Sequence, residues 1–282
     1  IGICAPYNRS EVSVAAIRLA ELAMELSLSA QLLSTQPVER GIHPFWDRYV
    51  CGHKGRNVYK WAANCDHFVW FDVNEKYVQM AKLVSPKARH YIVPLWHRLR
   101  RQDTSKLDMF DLVVSPSMQL RTYLIEKLAE EGMDERLARQ KVAFCKWESG
   151  LSPVSQTFFG EDHSLSLYAY LDGFTVDECG PSILRILKDL LEMFPEVSVT
   201  MDCAKSWSRR MRAEVKSMRD RWKRRFSVMY RTPLPDQLTL MHTHDWTFLP
   251  SPRVDIGVMA MRSLSCGVPV IAFDVPPLGE LL

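Results

Sequence analysis

The sequence predicts an α/β protein built from two Rossmann-like domains, each with a parallel sheet. Short apolar runs alternate with amphipathic helical patterns along the chain, an order typical of parallel strands joined by crossover helices. The length of 282 residues suits two domains of ordinary size. A polar stretch with Gly and Pro, residues 148–166, interrupts the series and has the composition of an interdomain linker. We therefore expect an N-terminal domain over 1–155 and a C-terminal domain over 156–282.

The first half contains six expected strands. They are the apolar runs GICAPYN, QLLS, HFVWFDV, RHYIVPLW, DLVVSPS and KVAFCKW. Helices are expected over EVSVAAIRLAELAMEL, NEKYVQMAKLVS and MQLRTYLIEKLAEEG. Ser10 is the expected N-cap of the first helix, because its hydroxyl can accept a hydrogen bond from a backbone amide. Residues 38–60 mix Gly, Pro and aromatic residues, which favours a loop with a short helix.

The second half repeats the pattern with five expected strands, SLYAYL, VSVTMD, SVMYR, DWTFL and VPVIAF. Helices are expected over PSILRILKDLLEMF, SWSRRMRAEVKSMRDRWKRRF, PDQLTLMHTH and VMAMRSLS. Pro250 and Pro252 end the DWTFL strand, and Gly267 ends the VMAMRSLS helix as a C-terminal glycine does. The last turn, DVPPLGELL, is stiffened by two prolines before a helix that is expected to start near Glu280.

Composition narrows the class of protein. Hydrophobic residues make up 47% and charged residues 24%, which is typical of a soluble globular chain. No apolar run reaches the length of about eighteen residues that a transmembrane helix needs, and IGICAPYN does not resemble a signal peptide. Seven cysteines occur without a C-x-x-C pair, which favours reduced thiols and a cytoplasmic location. His242 and His244 form an H-x-H pair, but no third ligand lies near them in the sequence, so we expect no metal site.

The last forty residues have the most informative spacing. A strand that runs into a loop and a helix start presents backbone N–H groups at the carboxyl edge of a sheet, where phosphates bind. This segment resembles the donor-binding half of the retaining GT-B glycosyltransferases of family GT4, also called group 1. The residues at matching offsets are Asp245, Pro250, Ser251, Gly257, Gly267, Pro269, Val270, Asp274 and Glu280. Gly257 and Gly267 are ten positions apart and Gly267 and Glu280 thirteen, as in the family pattern.

The resemblance implies a GT-B fold, in which two Rossmann-like domains with parallel sheets face an interdomain cleft. It also implies a nucleotide-sugar donor, UDP- or GDP-linked, with no cofactor and no catalytic metal. Family members continue through more of the C-terminal domain than this chain does, which stops at Leu282. We therefore expect that the C-terminal domain is truncated in this sequence.

Two departures from the family pattern affect the donor site. The glutamates of the family's E-x7-E motif fall on Val254 and Arg262, and Asp255 lies next to the first. In the family the second glutamate accepts hydrogen bonds from ribose, which arginine cannot do because a guanidinium only donates. The family's arginine and lysine after the first strand of this domain are replaced by a segment that starts at Asp172. A different donor, a rebuilt site and a loss of transfer chemistry stay open as explanations.

The resemblance and the residue chemistry together assign candidate roles. The donor-binding candidates are Ser251, Asp255, Gly257, Arg262, Pro277, Gly279 and Glu280. The catalytic candidates are Arg262, whose charge can stabilise a departing phosphate, and His97, for proton handling or positioning. Glu280 is expected to hold the sugar hydroxyls. The acceptor-binding candidates are Asn8, Arg9, Ser10, Arg98, Arg100 and Arg101, with the alternatives that Ser10 is only a helix N-cap and that 97–101 is a solvated loop.

Basic residues are concentrated in one predicted helix. Residues 205–225 contain ten Lys or Arg against only Glu214 and Asp220, although the net charge of the whole chain is +3. An apolar stripe with helical spacing runs through the same segment at Trp207, Met211, Val215, Met218 and Trp222. We interpret the segment as a helix packed on the second sheet. Added binding of nucleic acid or of an anionic membrane surface is the alternative.

Together these observations favour a glycosyltransferase that moves a sugar from a nucleotide sugar to an acceptor. The residues leave the acceptor open between a glycan, a lipid and a modified DNA base. The alternative is a non-catalytic GT-B-like binding or assembly protein that has lost the acidic pair of the donor site.

Overall fold

The protein forms two compact units in a computed structural model. The structure describes residues 1–8, 10–72, 74–95, 104–147, 164–171, 173–203, 207–252, 254, 256–275 and 278–282. The first unit comprises Ile1–Glu148 together with Arg253–Val258, and the second comprises Ser149–Pro252 together with Met259–Leu282. Among the helices of these described ranges, none is both long enough and apolar enough to cross a membrane.

The first unit contains a parallel six-stranded sheet with the strand order β2-β1-β3-β4-β5-β6. Its strands are β1 (Gly2–Ala5), β2 (Gln31–Ser34), β3 (His67–Phe71), β4 (Arg89–Val93), β5 (Leu112–Ser115) and β6 (Val142–Phe144). Its helices are α1 (Glu11–Glu25), α2 (Trp46–Tyr49), α3 (Gly55–Ala62), α4 (Glu75–Val84), α5 (Met118–Glu130) and α6 (Glu135–Lys141), and a 3-10 helix covers Thr104–Met109. The six strands and three helices predicted for this half are confirmed.

Helix α6 is absent from the sequence prediction because its signals are local and short. Gly132 has a φ of 98°, which ends the preceding helix in a backbone conformation that favours glycine. Two residues later the Asp134 side chain accepts a hydrogen bond from the Leu137 amide at 3.2 Å and caps a new helix. Ala138 is the one buried residue of α6, so no apolar stripe marks the helix in the sequence.

The second unit contains a parallel five-stranded sheet with the strand order β11-β10-β7-β8-β9. Its strands are β7 (Leu165–Leu171), β8 (Val197–Cys203), β9 (Phe226–Tyr230), β10 (Trp246–Leu249) and β11 (Val270–Ala272). Its helices are α7 (Gly173–Glu178), α8 (Gly180–Met193), α9 (Arg209–Arg221), α10 (Leu234–His242), α11 (Val258–Ser265) and α12 (Leu278–Leu281). All five predicted strands are confirmed, and α7 is the element that the sequence does not predict.

One face of the second sheet is apolar and packs against helices. Leu167, Ala169 and Leu171 alternate along β7 and contact the buried sides of α8 and α9. Trp207 lies so close to Gly180 that a Cβ there would collide with its ring, so the start of α8 depends on this glycine. The interpretation of the basic segment as a helix packed on this sheet is therefore confirmed.

Candidate functional site

Three strands of the second sheet end side by side. Strand β10 lies between β7 and β11, and the pairings are parallel, so all three carboxyl ends meet at one edge. Leu249 at the end of β10 pairs with Ala272 at the end of β11. Loops that leave this edge carry the predicted donor residues, and carboxyl edges of open α/β sheets are where ligands bind.

The loop after β10 leads into helix α11 through a glycine. Gly257 has a φ of 79°, a left-handed backbone conformation that side-chain-bearing residues rarely adopt. The helix begins at the next residue, Val258, and its first amides have no partners within the helix. Such amides and the positive end of the helix dipole attract anions.

Arg262 lies on the buried side of α11. The residue is only 8% exposed, although arginine is rarely buried to this extent. The next residue, Ser263, fixes the helix to the sheet because its Oγ donates to Thr247 Oγ1 at 2.8 Å. Burial raises the pKa of the Cys266 thiol, and the positive charge of Arg262 partly offsets that rise. A guanidinium charge is therefore held inside this strand–loop–helix unit.

The turn after β11 brings a carboxylate against a glycine. Asp274 Oδ1 lies against Gly279 in the space that a Cβ there would occupy, so the carboxylate lies over the first turn of α12. Leu278 is fully buried and anchors this turn, whereas Glu280 is exposed. An exposed glutamate on an anchored turn suits a contact with ligand hydroxyls.

The segment that carries the first E-x7-E position packs with the first unit. Val254 is 7% exposed, and the Ile256 amide donates a hydrogen bond to Glu11 Oε2 at 3.4 Å. Position 254 is therefore a packing position in this protein, which explains why an apolar residue is accommodated there.

The loop after β1 contains the predicted acceptor residues Asn8 and Ser10. Ser10 Oγ accepts from the Ser13 amide at 3.3 Å, which confirms that it is the N-cap of α1. Asn8 Oδ1 accepts hydrogen bonds from the Ser10 amide at 3.1 Å and from Ser13 Oγ at 3.0 Å. Both side chains thus shape the loop, and their contact with an acceptor stays a prediction.

Several predicted site residues lie outside the described residues. They are Arg9, His97, Arg98, Arg100, Arg101, Asp255 and Pro277. Their assignments to acceptor binding, catalysis and donor binding stay predictions, as do the assignments of Ser251, Gly257, Gly279 and Glu280.

A buried carboxylate in the second unit was not predicted. Asp202, on β8, is fully buried and accepts hydrogen bonds from Tyr168 at 2.9 Å, Thr232 at 2.8 Å and Gln237 at 3.2 Å. The one signal in the sequence is an acidic residue at the end of the apolar run VSVTM. Because every partner is also buried, this cluster is structural.

Comparisons with known proteins agree on the fold. No protein-family model and no curated protein matches the chain. Among solved structures, Anabaena Alr3699/HepE in complex with UDP-glucose has a TM-score of 0.64 at 14% identity, covering 100% of this chain and 82% of that one. UDP-GlcNAc 2-epimerase from Methanocaldococcus jannaschii has a TM-score of 0.57 at 12% identity, covering 99% and 86%. An alpha-glucosyltransferase in complex with UDP and a 13-mer DNA containing a HMU base has a TM-score of 0.55 at 12% identity, covering 97% and 80%.

These likenesses and the two parallel sheets define the class of fold. The chain is a GT-B protein with two α/β domains, as the sequence predicts. The neighbours include glycosyltransferases and epimerases, so the fold alone does not assign the chain to family GT4. Membership of that family stays a prediction.

Proposed function

We propose that the protein binds a nucleotide sugar at the carboxyl edge of its second sheet and transfers the sugar to an acceptor. One observation carries the proposal: the buried Arg262 lies in a helix whose first turn follows the left-handed Gly257, next to the end of β10. Amides at a helix N-terminus and a guanidinium are the groups that hold a diphosphate. Structural neighbours were solved with UDP or UDP-glucose, which supports a uridine nucleotide, with a GDP-linked donor as the alternative.

The chemistry requires a departing phosphate to be stabilised more than it requires a covalent nucleophile. In this proposal Arg262 and the α11 amides offset the charge that develops on the leaving diphosphate. Glu280 accepts hydrogen bonds from the sugar hydroxyls, because a carboxylate only accepts. His97 handles a proton or positions the acceptor, and the basic residues Arg98, Arg100 and Arg101 attract an anionic acceptor.

The acceptor in this proposal is a glycan, a lipid or a modified DNA base. One neighbour of the same fold was solved with UDP and DNA, which supports testing DNA among the acceptors. A non-catalytic binding protein is the second candidate. It is favoured by one observation, the replacement of both E-x7-E glutamates by Val254 and Arg262.

Donor binding is tested first, by the rise in melting temperature with UDP-, GDP- and ADP-linked sugars. We expect a rise with one nucleotide class, and Glu280→Gln should reduce that rise, which is measured for each variant against its own ligand-free melting temperature. Glu126→Gln is the matched control, since Glu126 is also exposed on a helix but lies in the first unit. The absence of any rise across the panel contradicts the transferase and favours the non-catalytic candidate.

Transfer is tested by release of the free nucleotide in the presence of candidate acceptors. Release that depends on the acceptor supports the transferase. Donor binding without release for any acceptor class supports the non-catalytic candidate. Arg262→Lys separates the roles further, because it keeps the charge but loses the planar fork, and we expect weaker donor binding with slower release.

A further inference from the structure

The strongest charged surface of the second unit is a line of five cations that we call the basic stripe: Arg209, Arg212, Lys216, Arg219 and Lys223. The first four lie on α9, at spacings of three and four residues, and Lys223 continues the line just beyond the C-cap Trp222. This spacing keeps the four helical cations within a sector of about 80° around the helix axis. The stripe is therefore one surface and not a scatter of charges.

The cations of the stripe are exposed. Within the described part of the chain, none of the five forms an ion pair, although two other basic residues of the segment are engaged. Arg221 pairs with Glu192 at 2.8 Å, and Arg225 donates to the Phe194 carbonyl at 2.8 Å. The structure thus divides the segment into cations that hold helices together and cations that face solvent.

The stripe borders an exposed aromatic side chain at the edge of the sheet. Strand β9 ends the strand order, and its last residue, Tyr230, is 42% exposed. Phe226 and Val228 pack with the apolar side of α9, and Tyr230 lies on the same face of β9 by the alternation of the strand. Burial raises the pKa of Tyr230, whereas the charges of Arg219 and Arg212 lower it. A flat ring next to cations suits a ligand that has both phosphates and bases.

We infer that the basic stripe and Tyr230 bind the phosphate backbone of a nucleic acid. From Arg209 to Arg219 the helix rises about 15 Å, and one strand of a duplex presents four to five phosphates over about that length. Charge and spacing therefore match a linear polyanion. Tyr230 adds a stacking surface that a duplex end or a single strand can use.

A membrane surface fits the same helix less well. Amphipathic helices bind membranes by burying their apolar side in the lipid. Here that side, Met211, Val215 and Met218, is at most 8% exposed because it belongs to the core of the second unit. Insertion would require the helix to leave the core, so the membrane is the weaker partner.

The inference goes beyond the proposed function, and its test requires no nucleotide sugar. Binding of a labelled oligonucleotide of about 20 nucleotides, single-stranded and as a duplex, is measured by fluorescence anisotropy from about 50 to about 200 mM salt. The test variant is R212A/K216A/R219A. We expect it to weaken duplex binding about tenfold or more and to reduce the slope of log K against log salt by about 2.7, since each neutralised phosphate contributes about 0.9.

The control variant is K76A/K87A/R136A, which removes the same charge from exposed positions of the first unit. It should bind nearly as the unmodified protein does. R212K/R219K keeps the charge and should also bind, which covers the case in which the alanine variant is poorly folded. The inference is overturned by absence of binding at the lowest salt, by equal losses in the two triple variants, or by capture on phosphatidylserine vesicles without oligonucleotide binding.

Discussion

Tyr168 Oη donates a hydrogen bond of 2.9 Å to Asp202 Oδ2, and both residues are fully buried in the second sheet. Burial raises the pKa of Tyr168 well above its usual range, and the adjacent Asp202 carboxylate adds to the rise, so the phenol stays protonated and donates. Thr232 and Gln237 donate to the same carboxylate. One side chain therefore joins β7, β8, the segment after β9 and helix α10.

Removing the Tyr168 hydroxyl should destabilise the protein. Tyr168→Phe takes one donor from a buried carboxylate and is expected to lower the free energy of unfolding by about 1.5–3 kcal/mol, measured by urea denaturation. Tyr91→Phe is the matched control, because the Tyr91 hydroxyl bonds the exposed His67 at 3.1 Å and its loss should cost less than about 0.5 kcal/mol. Equal losses of stability for the two variants would show that the hydrogen bond from Tyr168 to the buried Asp202 carboxylate does not stabilise the protein.

Gly2 should not tolerate a methyl group, because β1 lies directly on an aromatic core. A Cβ there would lie 2.7 Å from Trp61 Cζ2 and 2.9 Å from Phe68 Cδ1. Gly2→Ala is expected to lower the free energy of unfolding by about 1–3 kcal/mol through overpacking. Gly55→Ala provides the comparison, since its nearest neighbour would be Met80 Cε at 3.6 Å, an ordinary contact. A Gly2→Ala protein as stable as the Gly55→Ala protein would contradict this account.

Much of the fold could be predicted because its signals are local. Helix α11 spans the residues VMAMRSLS that the pattern predicts, closed by Gly267 with a φ of 75°. Helix α7 could not be predicted, since Gly173–Glu178 is one short run with a glycine at its start and no apolar stripe. Whether such a segment becomes helical depends on tertiary packing, and here Val176 is buried in the core of the second unit.

Less of the candidate site could be predicted, because its geometry depends on strand order. The pairing of β10 with β7 joins residues about eighty positions apart, and the sequence contains no sign of it. At Ser10 the sequence pattern is ambiguous, because a serine before a helix looks the same whether it caps the helix or contacts a ligand. The structure confirms only the cap. The resemblance assigns the second E-x7-E position to Arg262, and that assignment stays a prediction. The burial of Arg262 follows from packing, for which the sequence has no signal.

Asp47 should make the first unit sensitive to acid. Burial alone would raise the pKa of its carboxyl, but hydrogen bonds from the Gly41 amide, Tyr7 Oη and two further amides outweigh burial and lower it. A lowered folded pKa gives stability that is present above the unfolded pKa and is lost as pH falls through the folded value. Asp47→Asn should therefore cost about 1–3 kcal/mol at neutral pH and less near pH 3.

Urea denaturation at neutral pH and near pH 3 measures whether the stability cost of Asp47→Asn decreases in acid. Asp189→Asn serves as the control because Asp189 is exposed on α8. This substitution should not change the free energy of unfolding at either pH. A cost for Asp47→Asn that is the same at both pH values would mean that the hydrogen bonds do not depend on the charge.

His90 lies in the core of the first unit as a neutral imidazole. The residue is 1% exposed, its Nδ1 accepts from Trp70 Nε1 at 3.2 Å, and the two rings stack with their centroids 5.9 Å apart. The pKa of His90 is lowered from 6.5 to about 4, mainly by burial and also by the positive charge of Lys82, although Asp111 opposes both. The unfolded chain therefore binds a proton in a pH range in which the folded chain does not.

This difference makes the first unit lose stability between pH 6.5 and about 4. The stability contributed by the neutral His90 is fully present above the unfolded pKa and declines as pH falls, by up to about 3 kcal/mol. His90→Asn retains an acceptor for Trp70 but cannot titrate, so the slope of unfolding free energy against pH should flatten. Some slope should persist because burial also lowers the pKa of His244. The control is His67→Asn, at an exposed position, which should retain the full slope. If His90→Asn has the same slope as this control, protonation of His90 is not what destabilises the protein in acid.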